Sequence, residues 1–305
     1  MKRREFTRSL GLAAMGAMAG ENLMANNANA RSEAWNLKYA PHLGMFSHLA
    51  GDDPLDQLNF IADQGFKAFE DNDLKLREKK LQDEMARIME ARGIQMGVFV
   101  AHKIYWNEAN LTSGDQVKRE EFLTDISSSI EVAKRMGAKW MTVVPGHLDL
   151  RQAMAFQTAH VIESLKRACE LLEPHDLVMV LEPLNFRDHP GLFLSESPQA
   201  FEICRAVDSP SCKILFDIYH QQVQEGNLIP NIERAWEEIA YFQIGDNPGR
   251  NEPTTGEINY HNVFKYIYDK GYDGILGMEH GNSIEGASGE KALLTAYRKS
   301  DDFLG

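Results

Sequence analysis

Three cysteines among 305 residues, Cys169, Cys204 and Cys212, are too few and too irregularly spaced for a disulfide framework or a thiolate metal site. Their odd number leaves at least one unpaired, and a bridge from Cys204 to Cys212 competes with buried free thiols at the same positions. Positive charge is also short. The chain has 32 lysines and arginines against 45 aspartates and glutamates, a formal net charge of −13. So acidic a balance disfavours a phosphate backbone or an anionic membrane as partner, and nucleic acid is not expected. No GxGxxG turn follows the first strand candidate, which removes the main support for an open dinucleotide-binding sheet. Beyond residue 30 there is no apolar run long enough to span a bilayer, and no Pro-, Gly- or Ser-rich linker divides the chain.

The first thirty residues read as a cleavable export tag. The pair Arg3 and Arg4 in KRREFTRSL is followed by Phe6, Arg8 and a small-residue apolar run from Leu10 to Gly20, the pattern of a twin-arginine signal. Small residues at Ala28 and Ala30 suit cleavage after Ala30. The expected organisation is therefore a signal segment, 1–30, and one domain, 31–305, working in the periplasm with no membrane attachment after cleavage. Losing four positive and two negative charges with the tag takes the net charge from −13 to −15. With 43% hydrophobic and 25% charged residues, the remainder has the composition of a globular domain able to bury one large core.

From Leu37 onward, short apolar runs alternate with longer stretches of helical period. The strand candidates are LKYAPHLGMF, FKAFED, IQMGVFVAH, WMTVVPG, LVMVLEPLN, CKILFDIYH, IAYFQIGDN and GILGMEHG. Most are continuous rather than alternating, as expected of strands covered on both faces. Helices are expected over Pro54–Gln64, Leu81–Arg92, Gln116–Met136, Met154–Glu173, Pro198–Val207, Ile229–Glu238, Tyr260–Lys270 and Glu290–Lys299. Glycines stand just past several of these, at Gly65, Gly93, Gly137 and Gly271. Eight βα units in this length predict a single (β/α)8 TIM barrel, with a doubly wound sheet as the alternative.

In such a barrel, residues at the C-terminal ends of the strands converge on one mouth. Here they are His42 and His48, Glu70, His102 and Trp106, His147, Glu182 and Asn185, Asp217 and His220, Gln243 and Asp246, and Glu279 and His280. Four consecutive runs finish on Glu182, Asp217, Gln243 and Glu279. A buried strand ends on a carboxylate only where something compensates the charge, and four in succession outline one shared divalent cation. Oxygen donors favour Mg²⁺ or Mn²⁺, with Zn²⁺ or Co²⁺ open if a histidine joins. Asn185, Arg187 and His147 are expected at the rim, and Trp106 either walls the pocket or packs in a loop.

The segments EPLN, DHPGLFL, FDIYHQQVQEGNL, FQIGDNPGRNEPTTGEINY and GMEH resemble the hydroxypyruvate isomerase family of the xylose-isomerase-like barrels, most strongly from Glu182 to His280. The resemblance implies a divalent metal on Glu182, Asp217, Gln243 and Glu279. It also implies that Glu182 and Glu279 carry protons on opposite sides of the substrate, and that His220 and Arg250 contact substrate oxygens. Related keto-sugar epimerases usually have histidine where Gln243 stands, so the amide favours the hydroxypyruvate isomerase branch.

Moving a carbonyl between adjacent carbons requires a proton taken from one and returned to the other, with enediolate charge stabilised in between. The leading expectation is thus an isomerase or epimerase of a short keto acid or keto sugar, with self-association left open. A periplasmic lyase or hydratase on a keto-glycoside would share the early steps. A phosphodiesterase like the apurinic endonucleases fits the acidic balance and the single four-oxygen constellation less well.

Overall fold

The computed structural model describes residues 34–304; the export-signal reading of residues 1–30 lies outside them. All eight apolar runs contain strands, shorter than the runs themselves: β1 (Lys38–Ala40), β2 (Ala68–Phe69), β3 (Gln95–Met96), β4 (Trp140–Val143), β5 (Val178–Leu181), β6 (Cys212–Asp217), β7 (Ile239–Gln243) and β8 (Ile275–Gly277). Local chemistry trims them. Pro41 has no N–H to donate and ends β1 after Ala40, while Gly97 follows the last residue of β3.

Every pairing is parallel, in a six-stranded sheet of order β1-β8-β7-β6-β5-β4 and a two-stranded sheet β2-β3. Backbone hydrogen bonds join the two sheets on both sides. Glu70 N–H donates to the Pro41 carbonyl (3.1 Å), and Thr142 N–H donates to the Phe99 carbonyl (2.8 Å). The strands therefore follow one another round a TIM-barrel-like α/β fold rather than a doubly wound sheet.

The helices fall where the apolar period puts them, within a few residues at each end: Pro54–Asp63, Lys79–Arg92, Gln116–Met136, Met154–Leu172, Ser197–Val207, Leu228–Ala235, Tyr260–Asp269 and Gly286–Asp301. Their starts are capped by side chains at Asp53 and Asp115, whose carboxylates accept N–H bonds from the first turn. An additional helix, Ile218–Gln224, begins directly after β6 inside the run CKILFDIYH. Asp217 turns the chain there, because its Oδ1 accepts from the N–H groups of Tyr219 (2.8 Å) and His220 (3.3 Å).

Strand alternation separates two apolar layers. Val98, Trp140, Val178, Val180, Leu215 and Tyr241 pack inside the ring. Met141, Val143, Met179, Leu181, Phe216 and Phe242 point outward into the layer shared with the helices. Burying side chains of this size contributes roughly 1.5–3 kcal/mol each before entropy is counted. All three cysteines are free and buried, with the Cys212 thiol against those of Cys169 and Cys204. Among the described residues no helix is long and apolar enough to cross a membrane.

Candidate active site

The strand ends bring the four expected ligands to one mouth. Glu182 follows β5, Asp217 closes β6, Gln243 closes β7, and Glu279 lies two residues past β8. Register fixes their order, since Asp217 pairs with Gln243 across one ladder and Gln243 with Gly277 across the next. Glu182, Asp217 and Gln243 are buried, and Glu279 is half-buried.

Arg250 ties two of these together. One guanidinium nitrogen, Nη2, lies 2.9 Å from Asp217 Oδ2 and 2.7 Å from Glu279 Oε2, and Nε donates to the Glu279 carbonyl (3.2 Å). The loop that presents it is braced by Asp246, whose carboxylate accepts from the N–H groups of Asn247, Gly256 and Ile258. Arg250 itself holds a left-handed backbone, φ 49°, uncommon for a side-chain-bearing residue.

His220 completes a second grouping. Its Nε2 lies 3.9 Å from Glu182 Oε1 and 3.7 Å from Asp217 Oδ2, and one ligand-type atom from each of the three falls within 4.8 Å of the others. The tautomer can be read from Asn185. Asn185 Oδ1 accepts from the N–H groups of Arg187 and Asp188 (3.0 Å each), so its amide nitrogen faces His220. That Nδ2 lies 2.7 Å from His220 Nδ1, and the Asn185 backbone N–H points at the same atom from 3.3 Å. Nδ1 is thus an acceptor, and in the neutral ring the proton sits on Nε2, toward the two carboxylates.

Burial lowers His220 to about 4 and keeps the ring neutral. Burial, reinforced by the Glu279 and Asp217 carboxylates, pushes Glu182 well above the usual carboxylate range. Glu279 is also raised by burial, with Arg250 acting against the shift. Although burial works against it, Arg250 is raised by Glu279 and Asp217 and stays charged. Two glutamates poised toward the protonated form beside one fixed cation are suited to exchanging protons with a substrate.

The other expected residues are placed more variously. Asn185 is fully buried behind His220 and positions its ring from there. His147 is engaged by its own loops, with Nδ1 2.9 Å from the Leu148 carbonyl and its carbonyl accepting from Thr112 Oγ1 (2.7 Å). His280 turns away from the mouth to Tyr297 Oη (2.7 Å). Trp106 is 44% exposed and stacks on His189, with centroids 5.2 Å apart, and His189 in turn faces His220 at 5.4 Å.

Two further residues matter: Glu70, which the strand ends place at the mouth without a role, and Asn72, which sequence did not single out. Glu70, after β2, accepts from Tyr241 Oη (2.9 Å) and faces Gln243 Nε2 at 3.5 Å. The second contact turns the amide so that Gln243 Oε1 is its free acceptor, buried and without a partner. Asn72 Nδ2 donates to Glu279 Oε1 (2.7 Å), leaving Asn72 Oδ1 similarly unpartnered.

The family profile of the xylose isomerase-like TIM barrel matches residues 58–299. The chain belongs to that family. Within the xylose isomerase-like barrels, it is 32% identical over 194 residues to the hydroxypyruvate isomerase of Escherichia coli K12, covering 60% of this chain and 75% of that one. It is 29% identical over 227 residues to the 2-oxo-tetronate isomerase of Cupriavidus necator, covering 74% and 86%. A crystal structure named AP endonuclease, family 2, from Brucella melitensis superposes with a TM-score of 0.73 over 83% of this chain and 96% of that one; at 24% identity this speaks for the fold alone. With these relatives, this xylose isomerase-like barrel is an enzyme of the isomerase kind.

Proposed function

We propose that the enzyme is a metal-dependent isomerase or epimerase interconverting a short keto acid or keto sugar through an enediolate, with hydroxypyruvate isomerase chemistry as the leading case. The observation that carries this reading is the placement of Glu182 and Glu279 just past β5 and β8, flanking Asp217 and Gln243 at one mouth. The names of the two isomerase relatives support a short keto acid as substrate.

The chemistry of the donor set suits a divalent cation: Glu182 and Asp217 group within 4.8 Å beside His220, while Glu279 stands outside that grouping against Arg250 and Asn72. Gln243 Oε1 is a buried acceptor with no partner, and the carboxylates of Glu182, Asp217 and Glu279 outnumber the Arg250 guanidinium. Those four residues would hold the ion, and their oxygens favour Mg²⁺ or Mn²⁺. Zn²⁺ or Co²⁺ would gain from a nitrogen ligand, but His220 carries its proton on the nitrogen that faces the site. When bound, the cation would stabilise the negative charge that develops on the substrate.

The chain's own groups move the protons. Glu279 takes one from the carbon beside the carbonyl, Glu182 delivers one to the neighbouring carbon, and the roles reverse for the return reaction. One C–H bond breaks and one forms, while a proton passes between the two substrate oxygens, so the compound is isomerised without an external oxidant. His220 Nε2–H donates to a substrate oxygen, with Asn185 holding the ring. Arg250 pairs with a substrate carboxylate where there is one. The Arg3-Arg4 pattern supports a periplasmic location after export through the twin-arginine route.

The test is turnover followed by NMR, with hydroxypyruvate, ketohexoses and an oxidised glycoside offered to purified protein before and after chelation. Isomerised product that disappears with the metal and returns with Mg²⁺ or Mn²⁺ supports the reading. Full activity in a metal-free preparation would remove the metal from it.

A further inference from the structure

Two hollows open from the barrel mouth and share the wall formed by Asn72 and Asp73. The first, about 230 Å³, is bounded by Glu70 and Glu279. The second, about 510 Å³, is bounded by Leu76, Ile104 and Trp106. A keto acid of three or four carbons at Glu279 fills no more than the first, whose lining includes none of Glu182, Asp217, His220 and Gln243, and it leaves the second, with the volume of a pocket for a much larger ligand, unused.

The lining of the larger hollow indicates what fills it. Trp106, 44% exposed with its ring stacked on His189, and Leu76, 84% exposed, give this hollow an apolar wall. The cations alongside are already engaged. Lys75 Nζ donates to the carbonyls of Ala101 (2.8 Å) and Asp125 (3.0 Å), and Lys103 Nζ donates to Tyr105 Oη and lies 3.6 Å from Glu121. Neither is waiting for a phosphate or carboxylate. What remains is an indole and a leucine beside the exposed acceptor Asp73, the combination that takes the C–H face of a sugar ring while its hydroxyls reach the polar edge.

The hollow is also continuous with the chemistry. Asn72 belongs to both cavities and hydrogen-bonds Glu279, and the ring faces of Trp106, His189 and His220 follow one another toward Asp217.

We propose that the larger hollow is a glycosyl subsite, and that the substrate is a keto sugar carrying a second sugar ring. The ketose end lies at Glu279 and the attached ring lies against Trp106 and Leu76. The orientation rests on the isomerase reading above, whereas the subsite rests on the cavity and its lining.

Calorimetric titration of the full chain with fructose, and with the glycosylated fructoses turanose and lactulose, tests it, using wild type, Trp106→Ala and the surface variant Leu76→Asp. At least one disaccharide should bind about tenfold more tightly than fructose, and both substitutions should shrink that advantage to threefold or less. Equal affinity for all three sugars, no binding of the disaccharides, or an advantage that survives both substitutions overturns the proposal. Turnover separates this from the parent reading. A binding advantage without isomerisation of any ketose refutes the isomerase chemistry and keeps the subsite, while isomerisation of fructose without the advantage does the reverse.

Discussion

Gly277 exists to make room for Glu70: a Cβ at Gly277 would come within 1.9 Å of Glu70 Oε2. Burial and the Glu279 charge raise Glu70 above the usual carboxylate range, and the group is tolerated inside the barrel through Tyr241 and Gln243. Gly97 serves the same pair, since a Cβ there would lie 2.3 Å from Tyr241 Oη. Two glycines, one just after β3 and one in β8, thus leave room for a polar pair whose Glu70 aims the Gln243 amide.

Gly277→Ala should therefore cost stability and activity together. Overpacking of this kind costs roughly 1–3 kcal/mol, and the displaced Glu70 should release Gln243 from its orientation. Thermal unfolding and steady-state kinetics check both, and a variant with the wild-type unfolding midpoint would contradict the account of the strand glycine.

The Asn185–His220 contact makes a separate claim about a tautomer. Asn185→Asp offers Nδ1 a carboxylate in place of an amide N–H, which should draw the ring proton to Nδ1 and leave Nε2 bare toward Glu182 and Asp217. We expect kcat to fall about 10- to 100-fold with a smaller change in KM. Imidazole ¹⁵N shifts should report an Nε2–H ring in the wild type and an Nδ1–H ring in the variant. Identical ring shifts in the two proteins would show that Asn185 does not set the proton.

Much of this arrangement was legible in the sequence. Continuous apolar runs ending on Glu182, Asp217, Gln243 and Glu279 announce buried strands and their rim, because period and burial are local properties of the chain. What stayed hidden depends on contacts between distant elements. Glu70 and Gln243 are 173 positions apart, and nothing near either marks the other. The helix beginning at Ile218 was obscured for another reason: FDIYH reads as one apolar run, and only the cap made by Asp217 shows where the strand stops. Asn185 looked like a rim residue because sequence gives its distance past the strand but not the side to which its amide turns.

Acid should weaken the fold partly through His102. Its Nδ1 lies 2.9 Å from the Lys103 carbonyl and its Nε2 accepts from the Val144 N–H, so the ring fits only as the neutral form. Burial lowers it from 6.5 to about 4. Between those values the unfolded chain binds the proton and the folded chain does not, so this group's contribution is lost as pH falls from about 6.5 toward 4. The raised glutamates act in the opposite sense, so the comparison is with His102→Gln. Denaturant midpoints should decline less steeply over this range in the variant, and parallel declines would acquit His102.

Metal binding should be visible without turnover. Adding Mn²⁺ or Mg²⁺ to chelated protein should raise the unfolding temperature by mass action, and Asp217→Asn should abolish the rise. An equal rise in the variant would place the ion elsewhere.

The most direct test of the central claim is solvent-deuterium exchange at the carbon beside the substrate carbonyl, followed by NMR in wild type and in Glu279→Gln. Wild type should incorporate deuterium during turnover, and Glu279→Gln should still bind the substrate but exchange at least 100-fold more slowly, within the range expected for loss of a general base. Exchange at the wild-type rate in Glu279→Gln would contradict the assignment of proton abstraction to this site.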